Sequence, residues 1–183
     1  MPRINPIDPS TANGQAKSLL DAVQSKFGMV PNLLATMAHA PGVLQSYLQF
    51  NENLRGGTLD ATLFEQIAIT VSTVNGCRYC VSAHSAMGES AGIPRQAIQD
   101  AINGESSDPR TDAALKFARA VVSKQGWVGD DELEAVRGAG FDDSEIAQII
   151  GIVGMKTFTN YFNHIAQTDI DFPEVDIPEP AHA

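Results

Sequence analysis

Two cysteines, a histidine and a glutamate carry most of the chemistry this sequence can offer. Cys77 and Cys80 are its only cysteines, three positions apart, and His84 follows four residues later in the stretch NGCRYCVSAH. A helix turns about 100° per residue, so Cys77, Cys80 and His84 fall within roughly 60° of one another on one face, with Tyr79 pointing elsewhere. Helix positions three apart lie within the ~4.4 to 6.8 Å Cα separation that a disulfide tolerates. Closing so short a loop removes little entropy from the unfolded chain, which suits the pair to redox turnover better than to stabilisation.

The groups around the pair suggest how its protons would move. Cys77 is expected in the first turn after Asn75-Gly76, where free amides and the positive end of the helix dipole favour a thiolate and lower its pKa. His84 brings the side chain whose ordinary pKa lies closest to neutral. Glu65 lies twelve positions before Cys77. In an antiparallel hairpin its carboxylate comes back to the cysteine-histidine face, and apolar surroundings there would raise its pKa. Glu65 and His84 are thus expected to form a relay, with room for one water, that takes the proton from Cys80.

Other readings compete. Free cysteines are often simply small buried hydrophobes. A zinc site would find three ligands in Cys77, Cys80 and His84, where a structural site normally has four. A thioredoxin-like centre calls for a βαβ setting, which this helical text does not provide. His39 reads as a helix-end residue and His182 as tail. His164, with Asn160 and Asn163, reads as capping or interhelical hydrogen bonding. The stretch FGMVPNLLATMAHAP reads as core that could also wall a pocket, and Trp127 as core or interface.

The elements that must hold these groups are helices. Apolar residues recur at three- and four-residue spacing along the chain, and alternating β-branched runs are scarce, so the fold class is all-α. Helices are expected from Thr11 to Phe27, Pro31 to Ala38, Pro41 to Leu54, Pro94 to Ile102, Pro109 to Lys124, Asp130 to Arg137 and Ser144 to Gln167. Between them, a hairpin opens at Thr58 or Asp60, breaks at Asn75-Gly76 and resumes to Gly92. Residues 1–167 form one domain in this reading. Residues 168–183, rich in Pro and acidic groups, form an extended arm of the kind that lies over a neighbouring subunit. Glu65 precedes His84 by the same 19 positions that separate Glu145 from His164, which leaves open a degenerate internal repeat with pseudo-twofold packing of two hairpins.

Composition narrows the partners. The 183 residues carry a formal charge of −10 with a pI near 4.6 and no Lys/Arg cluster, so nucleic acid is not an expected partner. The opening MPRINPIDPSTANG has no apolar core for a signal peptide, and no apolar run approaches membrane-spanning length. A cytoplasmic location, away from membranes, is expected by default.

The spacing E-x11-C-x2-C-x3-H, carried by Glu65, Cys77, Cys80 and His84 in EQIAITVSTVNGCRYCVSAH, resembles the AhpD-like alkylhydroperoxidases of the carboxymuconolactone decarboxylase superfamily. The resemblance implies an all-α fold, homo-oligomers such as trimers or hexamers, and reduction of a hydroperoxide by the cysteine pair. It assigns Cys80 as peroxidatic thiol, Cys77 as resolving thiol, and Glu65 with His84 as proton relay. No haem, flavin or metal cofactor is implied, and an external dithiol or lipoyl-type reductant resets the disulfide. Well-known members carry a second histidine between the cysteines, where this chain has Arg78 and Tyr79. The alternatives are a non-enzymatic redox sensor or adaptor using the same disulfide, and a decarboxylase-like enzyme with incidental cysteines.

Overall fold

Asp60 starts the helix on which the others are hung. Its carboxylate accepts from the Leu63 amide at 2.8 Å, capping α4 (Ala61–Val74), which is buried without interruption from Leu63 to Ser72. A helix apolar nearly all round must lie at the centre of its domain. The computed structural model describes residues 1–178, and among them places eight further helices around α4 and no strand. The all-α expectation therefore holds.

The hairpin turns where the sequence says it should. Gly76 has φ 71°, in the left-handed region that glycine adopts without strain, and the Cys77 amide donates back to Ser72 O at 2.9 Å. α5 (Arg78–Ser90) then runs back along α4. Cys77 thus occupies the N-cap position of α5.

Two hydrophobic clusters share α4 and α5 between them. The larger joins α4 to α6 (Arg95–Asn103), α7 (Pro109–Ser123), α8 (Asp130–Gly138) and α9 (Asp143–Ala166), with Ile67, Leu115, Ile149 and Ile152 fully buried. Each such side chain contributes about 1.5–3 kcal/mol on leaving water. The smaller joins α1 (Gly14–Phe27), α2 (Asn32–Met37) and α3 (Pro41–Arg55) to the cysteine helix, and Cys77, Tyr79 and Cys80 belong to it. Gln148 of α9 clamps the turn before α4: its side-chain oxygen accepts from the amides of Thr58 and Leu59, and its nitrogen donates to Leu54 O at 2.7 Å.

Three expectations are corrected. α1 begins at Gly14 rather than Thr11, because Asp8 draws the Ser10 amide and hydroxyl into a turn of its own. Trp127 is not core: it stands 86% exposed in the α7–α8 turn. The second hairpin is absent, because Glu145 and His164 lie at opposite ends of the single helix α9 while Glu65 and His84 sit on two helices. Glu145 closes the α9 capping box with Asp142 and pairs with Arg110, and His164 is exposed. His39 is a helix-end residue, with its Nε2 2.9 Å from Asn5 O.

The arm after α9 runs extended along its own chain. Asp171 accepts from the Asn32 amide at 2.7 Å, the Val175 amide donates to Ser82 Oγ at 3.0 Å, and Arg78 reaches Glu174 and Asp176. The remaining positions of the expected arm, 179–183 with His182, lie outside the described residues. Among the described residues, no helix is long and apolar enough to cross a membrane.

Candidate active site

The four residues singled out by spacing converge where α4, α5, α3 and α9 meet. Cys77 and Cys80 are free thiols, 2% and 3% exposed. Glu65 Oε2 lies 2.7 Å from His84 Nδ1, both side chains buried, so antiparallel packing of the hairpin does return the carboxylate to the histidine.

The electrostatics of this quartet differ from expectation at two points. Burial would raise Glu65, but His84, Arg55 and Lys156 outweigh it and bring its pKa down to about 2. Arg55 Nη2 sits 2.6 Å from Glu65 Oε1, so each carboxylate oxygen has its own partner. Burial and the positive charge of Lys156 push His84 down to about 4 against the pull of Glu65. At neutral pH the pair is therefore an ionised carboxylate and a neutral imidazole. An ionised carboxylate only accepts, which places the imidazole proton on Nδ1 and leaves Nε2 with a free lone pair.

The second difference concerns which thiol is acidic. Cys77 was expected to be lowered by the helix terminus, and it is raised instead, by its hydrogen bond to Cys80 and by burial. Burial also works against Cys80, but the Cys77 thiol, the amides of Asn160 and Asn163, and Lys156 overcome it and bring Cys80 to about 7. Asn163 Nδ2 lies 3.2 Å from the Cys80 sulfur and 3.9 Å from that of Cys77, so one amide serves both. The buried donors and the cation gather at Cys80, and the negative charge settles there.

Most of these supporting groups come from one face of α9. Lys156, Thr159, Asn160 and Asn163 are spaced i, i+3, i+4 and i+7, and all four are buried. Asn160 also ties the site to the hairpin turn, accepting from Asn75 at 2.8 Å and donating to Ser72 Oγ at 3.1 Å. Interhelical hydrogen bonding thus describes Asn160 and Asn163 but not the exposed His164. Lys156 and Arg55 were missed by sequence reasoning. A lone lysine inside the apolar run IIGIVGMKTF was a signal for the first; nothing local pointed to the second.

Cys80 and His84 both line a cavity of about 180 Å³ whose walls are mainly apolar. Phe27, Met29, Leu33 and Leu34 form one side, so the stretch expected as core or pocket wall does both. Tyr79 lines the cavity too instead of pointing away: its hydroxyl accepts from the Leu33 amide at 3.1 Å, and its ring meets Phe172 of the arm edge-on at 5.8 Å. Phe172 closes part of the wall.

Known proteins offer the following likenesses. Residues 41–123 match the carboxymuconolactone decarboxylase family. The fold is similar to an uncharacterised peroxidase-related protein from Ralstonia eutropha JMP134 described as an alkylhydroperoxidase AhpD core, at 27% identity and TM-score 0.82 over 92% of this chain and 93% of that one. It is also similar to a peroxidase-related protein from Silicibacter sp. TM1040, at 24% identity and TM-score 0.79 over 91% and 92% of the two chains. The debrominase Bmp8 shares the fold at 20% identity and TM-score 0.79, over 92% of each chain. No curated protein matches the chain.

Proposed function

We propose that the chain is an AhpD-like member of the carboxymuconolactone decarboxylase superfamily and, on that footing, a thiol-dependent peroxidase that reduces organic hydroperoxides through a reversible Cys77–Cys80 disulfide. The observation that carries the reading is the Cys80 thiol, held near pKa 7 at the wall of an apolar cavity with Cys77 under the same Asn163 amide.

In the proposed cycle the Cys80 thiolate attacks the terminal peroxide oxygen and becomes a sulfenic acid. Cys77 then condenses with it, giving the disulfide and water. Glu65 fixes the His84 tautomer so that Nε2 can accept the Cys80 proton within the cavity they share. The raised pKa of Cys77 suits a thiol that waits protonated until a sulfenic acid forms beside it. An external dithiol resets the pair, a chemistry that fits a reducing, cytoplasmic setting.

A homo-oligomer belongs to the same proposal. Ile150, Phe158, Tyr161 and Ile165 of α9 with Val43 and Phe50 of α3 are all exposed apolar side chains, more than an isolated chain ordinarily leaves on two helices in contact.

The test is cumene hydroperoxide consumption by the purified protein with excess dihydrolipoamide, followed alongside mass spectrometry of the cysteines. Sustained turnover with a Cys77–Cys80 bond appearing is the expected result. A disulfide that forms without turnover would instead favour a redox sensor, and activity surviving the double change Cys77→Ser with Cys80→Ser would make the thiols incidental.

A further inference from the structure

Lys156 has no part in the chemistry described so far beyond its charge, and its surroundings give it no partner. Its side chain is wholly buried, its ammonium has no hydrogen bond within the protein, and it lines the cavity that Cys80 and His84 also line. The nearest aromatic face, that of Phe64, lies 5.3 Å from Nζ and is shared with the Arg55 guanidinium at 4.2 Å. Both oxygens of Glu65 are already engaged by Arg55 and His84. A buried ammonium normally neutralises itself or is paired, and a mainly apolar pocket is a costly place to keep one unless something in the reaction uses it.

We infer that Lys156 is a catalytic acid: its ammonium binds the alkoxide oxygen that leaves when Cys80 cleaves an organic hydroperoxide, and gives that oxygen its proton. This inference rests on the peroxidase reading and names the acid it lacks. His84 is lowered to about 4, so a proton it takes from Cys80 passes on to solvent at pH 7, and its remaining proton is committed to Glu65; the pair at rest holds none for a leaving group. Lys156 can supply one, because burial brings its pKa down to about 8, where it is still cationic at pH 7 and a stronger acid than an ordinary lysine. A donor fixed beforehand where negative charge develops accelerates bond cleavage without reorganising in the transition state.

The step balances as follows. The Cys80 thiolate pair forms a bond to the terminal oxygen of R–O–OH, the O–O bond breaks, and its electrons go to RO⁻, which takes a proton from Lys156. The products are R–OH, the Cys80 sulfenic acid and a neutral lysine amine. Condensation with the Cys77 thiol then releases one water and leaves the disulfide. Apolar walls along Met29, Leu33, Leu34 and Phe172 would take the R group, so the substrate class is the hydroperoxide of a bulky apolar alcohol.

The experiment compares two oxidants that differ in what the leaving group needs. Cumene hydroperoxide releases an alkoxide that must be protonated; perbenzoic acid, of similar size, releases a carboxylate that need not be. Single-turnover oxidation of Cys80 is measured at pH 7 by quenched mass spectrometry for the wild type and Lys156→Met. The ratio of the two rate constants is independent of how much thiolate each protein holds. We expect Lys156→Met to lower the cumene-to-perbenzoate ratio by about 100-fold. Lys156→Gln, which keeps a neutral donor, should lower it less, and serves in place of the methionine variant if that one does not fold. An unchanged ratio would overturn the inference and reduce Lys156 to a counter-ion of the thiolate. A wild type that neither oxidant touches would bring down the peroxidase reading itself.

Discussion

The two halves of α9 use the same helix for opposite ends. Its first half buries Ile146, Ile149, Ile152 and Val153 against α4 and α7, and its second half buries Lys156, Thr159, Asn160 and Asn163 against the cysteine helix. The first half stabilises by removing apolar surface from water. The second gives up much of that gain, since each buried polar group has to recover its lost hydration, and in return sets the charge on one sulfur. Stability and reactivity are thus separated along a single helix, by about two turns.

Substitutions can break this separation or sharpen it. The largest effect is expected at the sulfur the second half serves: Cys80→Ser should abolish peroxide turnover while leaving the circular dichroism spectrum unchanged, and turnover above a tenth of wild type would defeat the assignment. Ile152→Ala, in the first half and fully buried, should cost about 2–5 kcal/mol in urea unfolding, while the folded fraction keeps its alkylation rate at Cys80. Asn163→Leu should do the reverse. Asn163 Oδ1 is already buried without a partner, so stability should change by no more than about 1 kcal/mol, while the pH at which thiolate absorbance at 240 nm appears should move upward.

A smaller effect is expected from acid. Burial and Lys156 hold His84 down at about 4, below its ordinary 6.5. Between those values the unfolded chain binds a proton that the folded chain refuses, so the His84 contribution is present above pH 6.5 and is lost as pH falls toward 4. Unfolding measured across that window should show a slope of up to about 1.4 kcal/mol per pH unit, and His84→Gln should flatten it. Glu65, lowered from 4.5 to about 2, adds a loss of the same sign that begins near pH 4.5, at the acid end of that window, and continues below it. The smallest change is Gly57→Ala in the first half's territory. A Cβ there would stand 2.5 Å from the Gln148 amide, so the clamp on the α3–α4 turn should loosen by about 1 kcal/mol, with reactivity at Cys80 untouched.

Much of the fold was legible because helix boundaries are written locally: Asp60, Asn75-Gly76 and Pro109 announce their ends through caps and turns. The quartet was legible through spacing, and the hairpin brought Glu65 to His84 as periodicity required. What escaped was long-range. Arg55 reaches Glu65 from a helix whose text carries no mark of it, and Lys156 and Asn163 act on a sulfur some eighty positions upstream. The charges of Arg55 and Lys156 help invert the pKa direction expected for Glu65, and the bond to Cys80 together with burial inverts that expected for Cys77, since a pKa belongs to the assembled surroundings and not to the local turn. Trp127, read as core, and the 19-residue echo misled for the complementary reason, that residue type and interval alone do not fix depth.

The route of the arm has a consequence for how the protein is made. Phe172, Asp171 and Val175 meet α2 and α5 across gaps of up to 139 residues of sequence, and Lys156 and Asn163 also emerge from the ribosome well after Cys80. Because synthesis delivers the N-terminal helices first, a nascent chain that has exposed Cys77 and Cys80 has neither the cation that makes Cys80 acidic nor the ring that walls its pocket. Cys80 is therefore translated without its lowered pKa, which arrives only when the last helix has packed against it, and its pocket is walled only once the strap follows.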